Sequence, residues 1–124
     1  MIEGLFLENL VNIPVVKIIV GWEEMFQDPF FILDTGFTGD LQVTPTIAAE
    51  LGLIPVAMTK ARIADGSIVP VHSALAVVNM EGQIKPVNVL ISDSFPLLGI
   101  GLLTTFGYKA IVDCKNRTVA LQKA

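Results

Sequence analysis

The chain has 124 residues, of which 52% are apolar and 16% charged, and its 8 basic and 12 acidic residues leave a net charge of −4. This length fits a single domain, residues 1–124, with one core that needs no disulfide or structural metal. The basic residues are scattered and form no stripe that could neutralise phosphates, which argues against nucleic acid and against an anionic membrane surface as partners.

The first half of the chain reads as short strands followed by a helix. The 14 valines, 13 isoleucines and 8 threonines of the whole chain favour pleated sheet. Residues 11–20 predict a strand, and residues 30–33 predict another that runs straight into Asp34. Thr44 and Pro45 are typical of a helix N-cap and first position, and Gly52 predicts the end of that helix after about two turns.

The second half predicts three hairpins and one more helix. Asp65-Gly66, Glu81-Gly82 and Asn116-Arg117 each lie between β-like runs. Asp65-Gly66 is a strong hairpin signal, because both residues tolerate the positive φ of a tight turn. Residues 102–106 read as a short helix closed by Gly107. The chain therefore contains a weak internal repeat, in which a strand, a glycine-containing turn and a short helix occur twice.

Asp34 is the strongest candidate for chemistry. It follows four bulky apolar residues and precedes Thr35 and Gly36, so a carboxylate stands where a buried strand breaks into a turn. A buried carboxylate must be hydrogen-bonded or neutralised, and the following hydroxyl and backbone N–H groups can supply the bonds. By composition alone, an ordinary Asx-turn at a strand end explains the tripeptide equally well.

The wider context favours a catalytic interpretation. In order and spacing, four segments resemble the single-lobe, retropepsin-like aspartic proteases, and most closely their prokaryotic branch with an Asp-Thr-Gly-Phe signature: Phe31-Ile32-Leu33-Asp34-Thr35-Gly36-Phe37-Thr38-Gly39, the Thr44-Pro45 helix ending at Leu51-Gly52-Leu53, Ala64-Asp65-Gly66, and Leu97-Leu98-Gly99. The resemblance implies an all-β fold, a retropepsin-like closed β-barrel lobe with one or two short helices. It also implies an aspartic endopeptidase.

The resemblance assigns a role to each matching residue. Asp34 would activate the attacking water, Thr35 would hydrogen-bond across a two-fold axis, and Gly36 would let the backbone approach the carboxylates. Since one chain carries one such aspartate, the resemblance implies a homodimer that acts on an extended peptide or protein, with no metal or other cofactor.

Two further segments receive roles from the resemblance. Leu97, Leu98 and Gly99 would support the Asp34 loop from inside the lobe. Ala64, Asp65, Gly66 and Ser67 would form the flap over the substrate. The chain ends, residues 1–10 and 118–124, are apolar enough to pair and are candidates for the dimer interface.

Other interpretations stay open at this stage. A catalytically silent dimer that binds extended peptides has the same motifs, and so has a protease that cleaves only its own chain. His72 and Cys114 are a weaker candidate for a thiol–imidazole pair. Asp40 reads as a solvated turn residue or, alternatively, as a residue at the rim of the substrate cleft. The single cysteine favours a reducing, cytoplasmic location.

Overall fold

The computed structural model describes residues 1–7, 12–62 and 65–124. Within them the chain forms short strands and two helices, in this order: β1 (Ile2–Glu3), β2 (Leu5–Phe6), β3 (Pro14–Lys17), β4 (Ile19–Trp22), β5 (Met25–Gln27), β6 (Phe30–Leu33), β7 (Leu41–Val43), α1 (Pro45–Leu51), β8 (Ala57–Arg62), β9 (Ile68–Met80), β10 (Gln83–Ile91), β11 (Leu97–Leu98), α2 (Ile100–Phe106), β12 (Tyr108–Asp113) and β13 (Thr118–Lys123).

A large curled sheet forms most of the molecule. Its strand order is β2-β3-β6-β11-β7-β10-β9-β4-β5, and β8 pairs with β9 beside this path. Most neighbours are antiparallel, but β11 runs parallel to β6 and β10 runs parallel to β7. The predicted all-β, barrel-like architecture with two short helices is confirmed as a curled half-barrel.

One hydrophobic core packs against this sheet. Alternate residues of β9 are 0–1% exposed, because successive side chains of a strand point to opposite faces: Ala74, Ala76, Val78 and Met80. They join one cluster with Leu33 of β6, Leu98 of β11 and Phe106 of α2. The residue before Asp34 therefore belongs to the same core as the long strand β9.

Both helices have the ends that their sequence cues indicate. The hydroxyl of Thr44 accepts a hydrogen bond from the Ile47 N–H at 3.2 Å, and α1 ends at Gly52, which has a φ of 72°. α2 also ends at a left-handed glycine, Gly107, but it begins at Ile100, two residues before the predicted start. This difference arises because Gly99 supplies no capping side chain that the sequence could reveal.

The three predicted hairpins are present, as β8–β9, β9–β10 and β12–β13. The strand predicted over residues 11–20 is divided instead into β3 and β4, and Val11 lies outside the described residues. The division falls at Ile18, whose N–H donates to Pro29 O at 3.3 Å rather than joining either ladder.

The chain ends meet in a small separate sheet with the order β1-β13-β12. Ile2 pairs with Leu121 and Glu3 with Ala120 within the one chain. The Met1 ammonium also contacts Glu81 at 2.5 Å, which ties β1 to the β9–β10 turn. The chain ends therefore pair within one subunit. Residues 8–10 lie outside the described residues, and a role of the ends in a dimer interface stays a prediction.

Candidate active site

Asp34 begins a tight turn at the end of β6. The residue as a whole is half-buried, and its Oδ1 accepts a hydrogen bond from the Gly36 N–H at 2.9 Å. The Phe37 N–H donates to the Asp34 carbonyl at 3.1 Å, which closes the turn. The Asx-turn expected from composition is thus present, and it fixes the direction of the carboxylate.

The Asp34 turn rests on β11. The Asp34 N–H donates to Leu98 O at 3.0 Å, and the Ile32 N–H donates to Pro96 O at 2.9 Å. Leu97 pairs with Ile32 on one side and with Gln42 of β7 on the other, and Leu98 is fully buried. The predicted supporting segment is therefore in direct backbone contact with the turn.

Gly99 lies where two stretches of backbone cross. Its N–H donates to Asp40 O at 3.0 Å, and a Cβ at this position would lie 2.2 Å from Gly39 O and 2.6 Å from Phe37 O. Contacts that short do not occur, so only glycine fits here. The crossing fixes the loop that follows Asp34 against the start of α2.

Asp40 also takes part in the backbone crossing at Gly99. The sequence did not predict this role. Asp40 is half-buried rather than solvated, and its Oδ2 accepts a hydrogen bond from the Asn88 N–H at 3.0 Å. A Cβ on Gly101 would lie 2.6 Å from Asp40 Oδ1. The signal in the sequence was the pair of glycines at 99 and 101, which indicates a close backbone approach to a second segment.

Thr35 and Gly36 are exposed at the tip of the turn. With Asp34 they form one face of the loop that is open to solvent in the single subunit. No metal-like cluster of three His, Cys, Asp or Glu side chains occurs within the described residues.

The predicted flap is the β8–β9 hairpin. Asp65 Oδ1 accepts hydrogen bonds from the Ser67 hydroxyl at 2.6 Å and from the Ser67 N–H at 2.8 Å, and these bonds lower the pKa of Asp65. Gly66 has a φ of 88°, and its carbonyl accepts a hydrogen bond from Arg62 Nη1 at 3.0 Å. Ala64, the first residue of the predicted flap tip, lies outside the described residues.

Phe95, which precedes the supporting strand β11, was also not singled out from the sequence. Its side chain is 63% exposed, while its carbonyl accepts a hydrogen bond from Gln42 Nε2 at 3.1 Å. It lines a shallow cavity of about 310 Å³ with Thr44, Asp93, Ser94 and Pro96. The signal available in the sequence was an aromatic residue directly before Pro96.

The alternative thiol–imidazole pair receives no support. His72 lies in β9 of the large sheet, whereas Cys114 lies in the exposed turn after β12 of the small sheet. No hydrogen bond between the two side chains is found in the described part of the chain.

Comparisons with known proteins identify the fold. No family model matches the sequence, and no curated protein matches it. The structure is similar to the EIAV protease complexed with the inhibitor HBY-793, with a TM-score of 0.64 and 19% identity over 86% of this chain and 100% of that chain. It is also similar to a retropepsin-like aspartic protease from Rickettsia conorii, with a TM-score of 0.61 and 18% identity over 97% of this chain and 87% of that chain.

These similarities establish a retropepsin-like aspartic protease fold for most of the chain. The prokaryotic branch expected from Asp34-Thr35-Gly36-Phe37 stays a prediction. Within the described residues, no helix is long and apolar enough to cross a membrane.

Proposed function

We propose that this protein is an aspartic endopeptidase that hydrolyses peptide bonds as a homodimer. The observation that carries the proposal is the Asp34 turn. The Gly36 N–H orients the carboxylate, and the Asp34 N–H holds the turn on Leu98 O, within a retropepsin-like fold. Such a construction gives a carboxylate one fixed direction, as acid–base chemistry requires.

In the proposed mechanism, the Asp34 carboxylates of two subunits share one water. Two carboxylates about 3 Å apart do not both ionise, so the pair holds one proton between them. The ionised member removes a proton from the water as the water oxygen attacks the peptide carbonyl, and the protonated member donates its proton to the carbonyl oxygen, which gives a tetrahedral diol. The first carboxyl then donates the proton it took from water to the leaving nitrogen as the peptide C–N bond breaks. One diol hydroxyl returns its proton to the other carboxylate, so the pair again holds one proton.

The proposal requires a second copy of the chain. One subunit contributes one Asp-Thr-Gly turn, and the exposed positions of Thr35 and Gly36 leave that turn free to face its symmetry mate. In the dimer, each Thr35 hydroxyl would hydrogen-bond across the axis and hold the two turns together. The single domain and the cytoplasmic location stay predictions.

The substrate in this proposal is an extended peptide. It would lie between the Asp34 turns and the β8–β9 hairpins, with backbone hydrogen bonds supplying much of its affinity. The exposed Phe95 and its cavity stand beside β11, where a substrate side chain could be accommodated.

Cleavage of a peptide library by the native protein and by Asp34→Asn tests the proposal. The substitution keeps the size of the side chain but removes its ability to take a proton, so we expect cleavage to fall by about 10²- to 10⁴-fold or more. Asp28→Asn is the matched control, because Asp28 is an exposed carboxylate at the other end of β6. We expect it to leave the rate unchanged.

Sedimentation over a range of concentrations completes the test. A protein that stays monomeric at high concentration would exclude the shared site. Binding of extended peptides without cleavage at any pH would instead identify a catalytically silent binding module.

A further inference from the structure

The two faces of the β8–β9 hairpin can be told apart by the alternation of β9. This strand is continuous from Ile68 to Met80, and its even-numbered residues from Ala74 onwards are buried in the core. The even-numbered residues nearer the tip therefore lie on the same side of the strand, where the hairpin extends past the core. These are Ile68, Pro70 and His72.

The register of β8 adds three residues to this face. Directly opposed residues in an antiparallel pair share a face. Met58 pairs with His72, Lys60 with Pro70, and Arg62 with Ile68. The core-side hairpin face is thus defined by six residues: Met58, Lys60, Arg62, Ile68, Pro70 and His72.

This face is basic and apolar in a protein that is acidic overall. It carries Lys60 and Arg62 and no Asp or Glu, although the whole chain has a net charge of −4. Met58 and Ile68 are 55% and 56% exposed, so its apolar side chains are also uncovered in the single subunit. A basic, partly apolar face complements an extended peptide that carries carboxylate side chains.

Arg62 has further N–H donors that are available to a carboxylate of such a peptide. One of its five N–H donors binds Gly66 O at 3.0 Å, which holds the guanidinium near the tip of the hairpin. Asp65, the nearest carboxylate in sequence, bonds to Ser67 instead. Across the described residues, no ion pair involves Arg62 or Lys60.

We propose that the core-side hairpin face selects substrates with Asp or Glu side chains near the cleaved bond, and that Arg62 is the principal specificity-determining residue, assisted by Lys60. This inference rests on the proposed function, in which the hairpin covers the peptide. A guanidinium binds a carboxylate through two parallel hydrogen bonds, which makes the selection directional. Two-fold symmetry presents the face twice, so acidic residues on either side of the cleaved bond are favoured.

Matched peptides test the proposal. They share one apolar cleavage sequence and carry Glu, Gln or Lys at each flanking position in turn, and kcat/KM is measured at low and high salt. We expect Glu peptides to exceed Gln peptides by roughly three- to tenfold, as for a partly exposed charge pair, with most of the difference in KM and lost at high salt. Equal rates for Glu, Gln and Lys peptides would overturn the proposal.

Variants assign the preference to Arg62. Arg62→Gln is expected to bring the Glu-to-Gln ratio towards one, Arg62→Lys to keep most of it, and Arg62→Glu to favour Lys peptides. Lys115→Gln is the control, because Lys115 is an exposed lysine in the β12–β13 turn. A full Glu preference in a folded Arg62→Gln protein would remove Arg62 from the proposed role.

Binding to Asp34→Asn separates this inference from the proposed function. Fluorescence anisotropy with labelled Glu, Gln and Lys peptides measures the selection without requiring turnover. If Asp34→Asn binds Glu peptides preferentially while the native protein cleaves none of them, the proposed enzyme is refuted and the basic face is retained. Cleavage without charge preference in rate or binding would support the enzyme and refute selection by the basic face.

Discussion

At the scale of single residues, Gly99 places the tightest steric demand on the Asp34 loop. We expect Gly99→Ala to lower the free energy of unfolding by about 3 kcal/mol, since overpacking against rigid backbone has no side chain to displace. The added methyl group would have to move Gly39 O, which lies 2.2 Å from its position. Urea denaturation at one fixed protein concentration measures the loss.

Gly82→Ala is the matched control for this prediction. Gly82 also has special geometry, with a φ of 89°, but a Cβ there meets no atom within 4 Å. Its substitution should therefore cost only the strain of a left-handed residue, about 1–2 kcal/mol. If Gly99→Ala were the milder of the two, the crossing would be looser than the structure describes.

The ionisation of Tyr108 can be measured without interference from other phenols, because it is the only tyrosine in the chain. Burial, followed by the hydrogen bond from its hydroxyl to Glu81 Oε1 at 2.7 Å, raises the pKa of Tyr108 from 10.0 to about 12. The unfolded chain ionises first as the pH rises. The stabilisation is therefore complete below pH 10 and is lost between about pH 10 and 12.

Ultraviolet absorbance of the phenolate measures this directly. We expect a midpoint near 12 in the folded protein and near 10 in denaturant. In Glu81→Gln the midpoint should fall only in part, because burial is the larger cause. A folded midpoint at the ordinary value would show that the Tyr108 ring is solvated.

At the scale of elements, the tip of the β8–β9 hairpin depends on a charged turn. The Ser67 hydroxyl, and next the Ser67 N–H, hold the pKa of Asp65 below its ordinary value of 3.8. The turn is therefore stabilised above that value, and the stabilisation is lost as the pH falls through the lowered pKa of the folded state. We therefore expect the tip of the hairpin to become less ordered at acidic pH.

We expect Ser67→Ala to raise the pKa of Asp65 towards 3.8, because it removes the stronger of the two bonds to the carboxylate. Carbon NMR of the labelled Asp65 carboxyl group measures the change. Ser94→Ala serves as the control, since Ser94 lies in the loop before β11 and outside the hairpin. An unchanged pKa in Ser67→Ala would mean that the hydroxyl bond is not formed in solution.

The elements also show how much the sequence could predict. The sequence predicts both helices and all three hairpins because their signals are local. These signals are the Thr44 N-cap, the glycines that end the helices and the residue pairs in the turns. β7 and β11 are too short to show a pattern, and they exist only because each pairs with strands distant in sequence. Asp40 was misread for the same reason, since its partner Asn88 is 48 residues away.

At the scale of the whole molecule, one chain contains one half of the site that the proposed homodimer would form. The sequence pointed to Asp34, and the structure adds the turn, the support from β11 and the basic hairpin face. In the proposed mechanism the opposing carboxylate would come from a second subunit, which the resemblance implies and the structure of one chain does not contain. Val112 and Ile111 of the edge strand β12 are 41% and 44% exposed, so apolar surface remains uncovered beyond the core.

A shared site predicts a specific dependence on subunit mixing. When native and Asp34→Asn chains are mixed equally in denaturant and refolded together, random pairing makes about a quarter of the dimers fully native. At constant total protein, cleavage should then fall to about a quarter of the native rate, because a dimer with one Asp34 lacks the acid–base pair. Independent sites, one in each subunit, would leave about half. Asp28→Asn mixed in the same way should leave the full rate, which separates a missing carboxylate at the axis from losses caused by refolding.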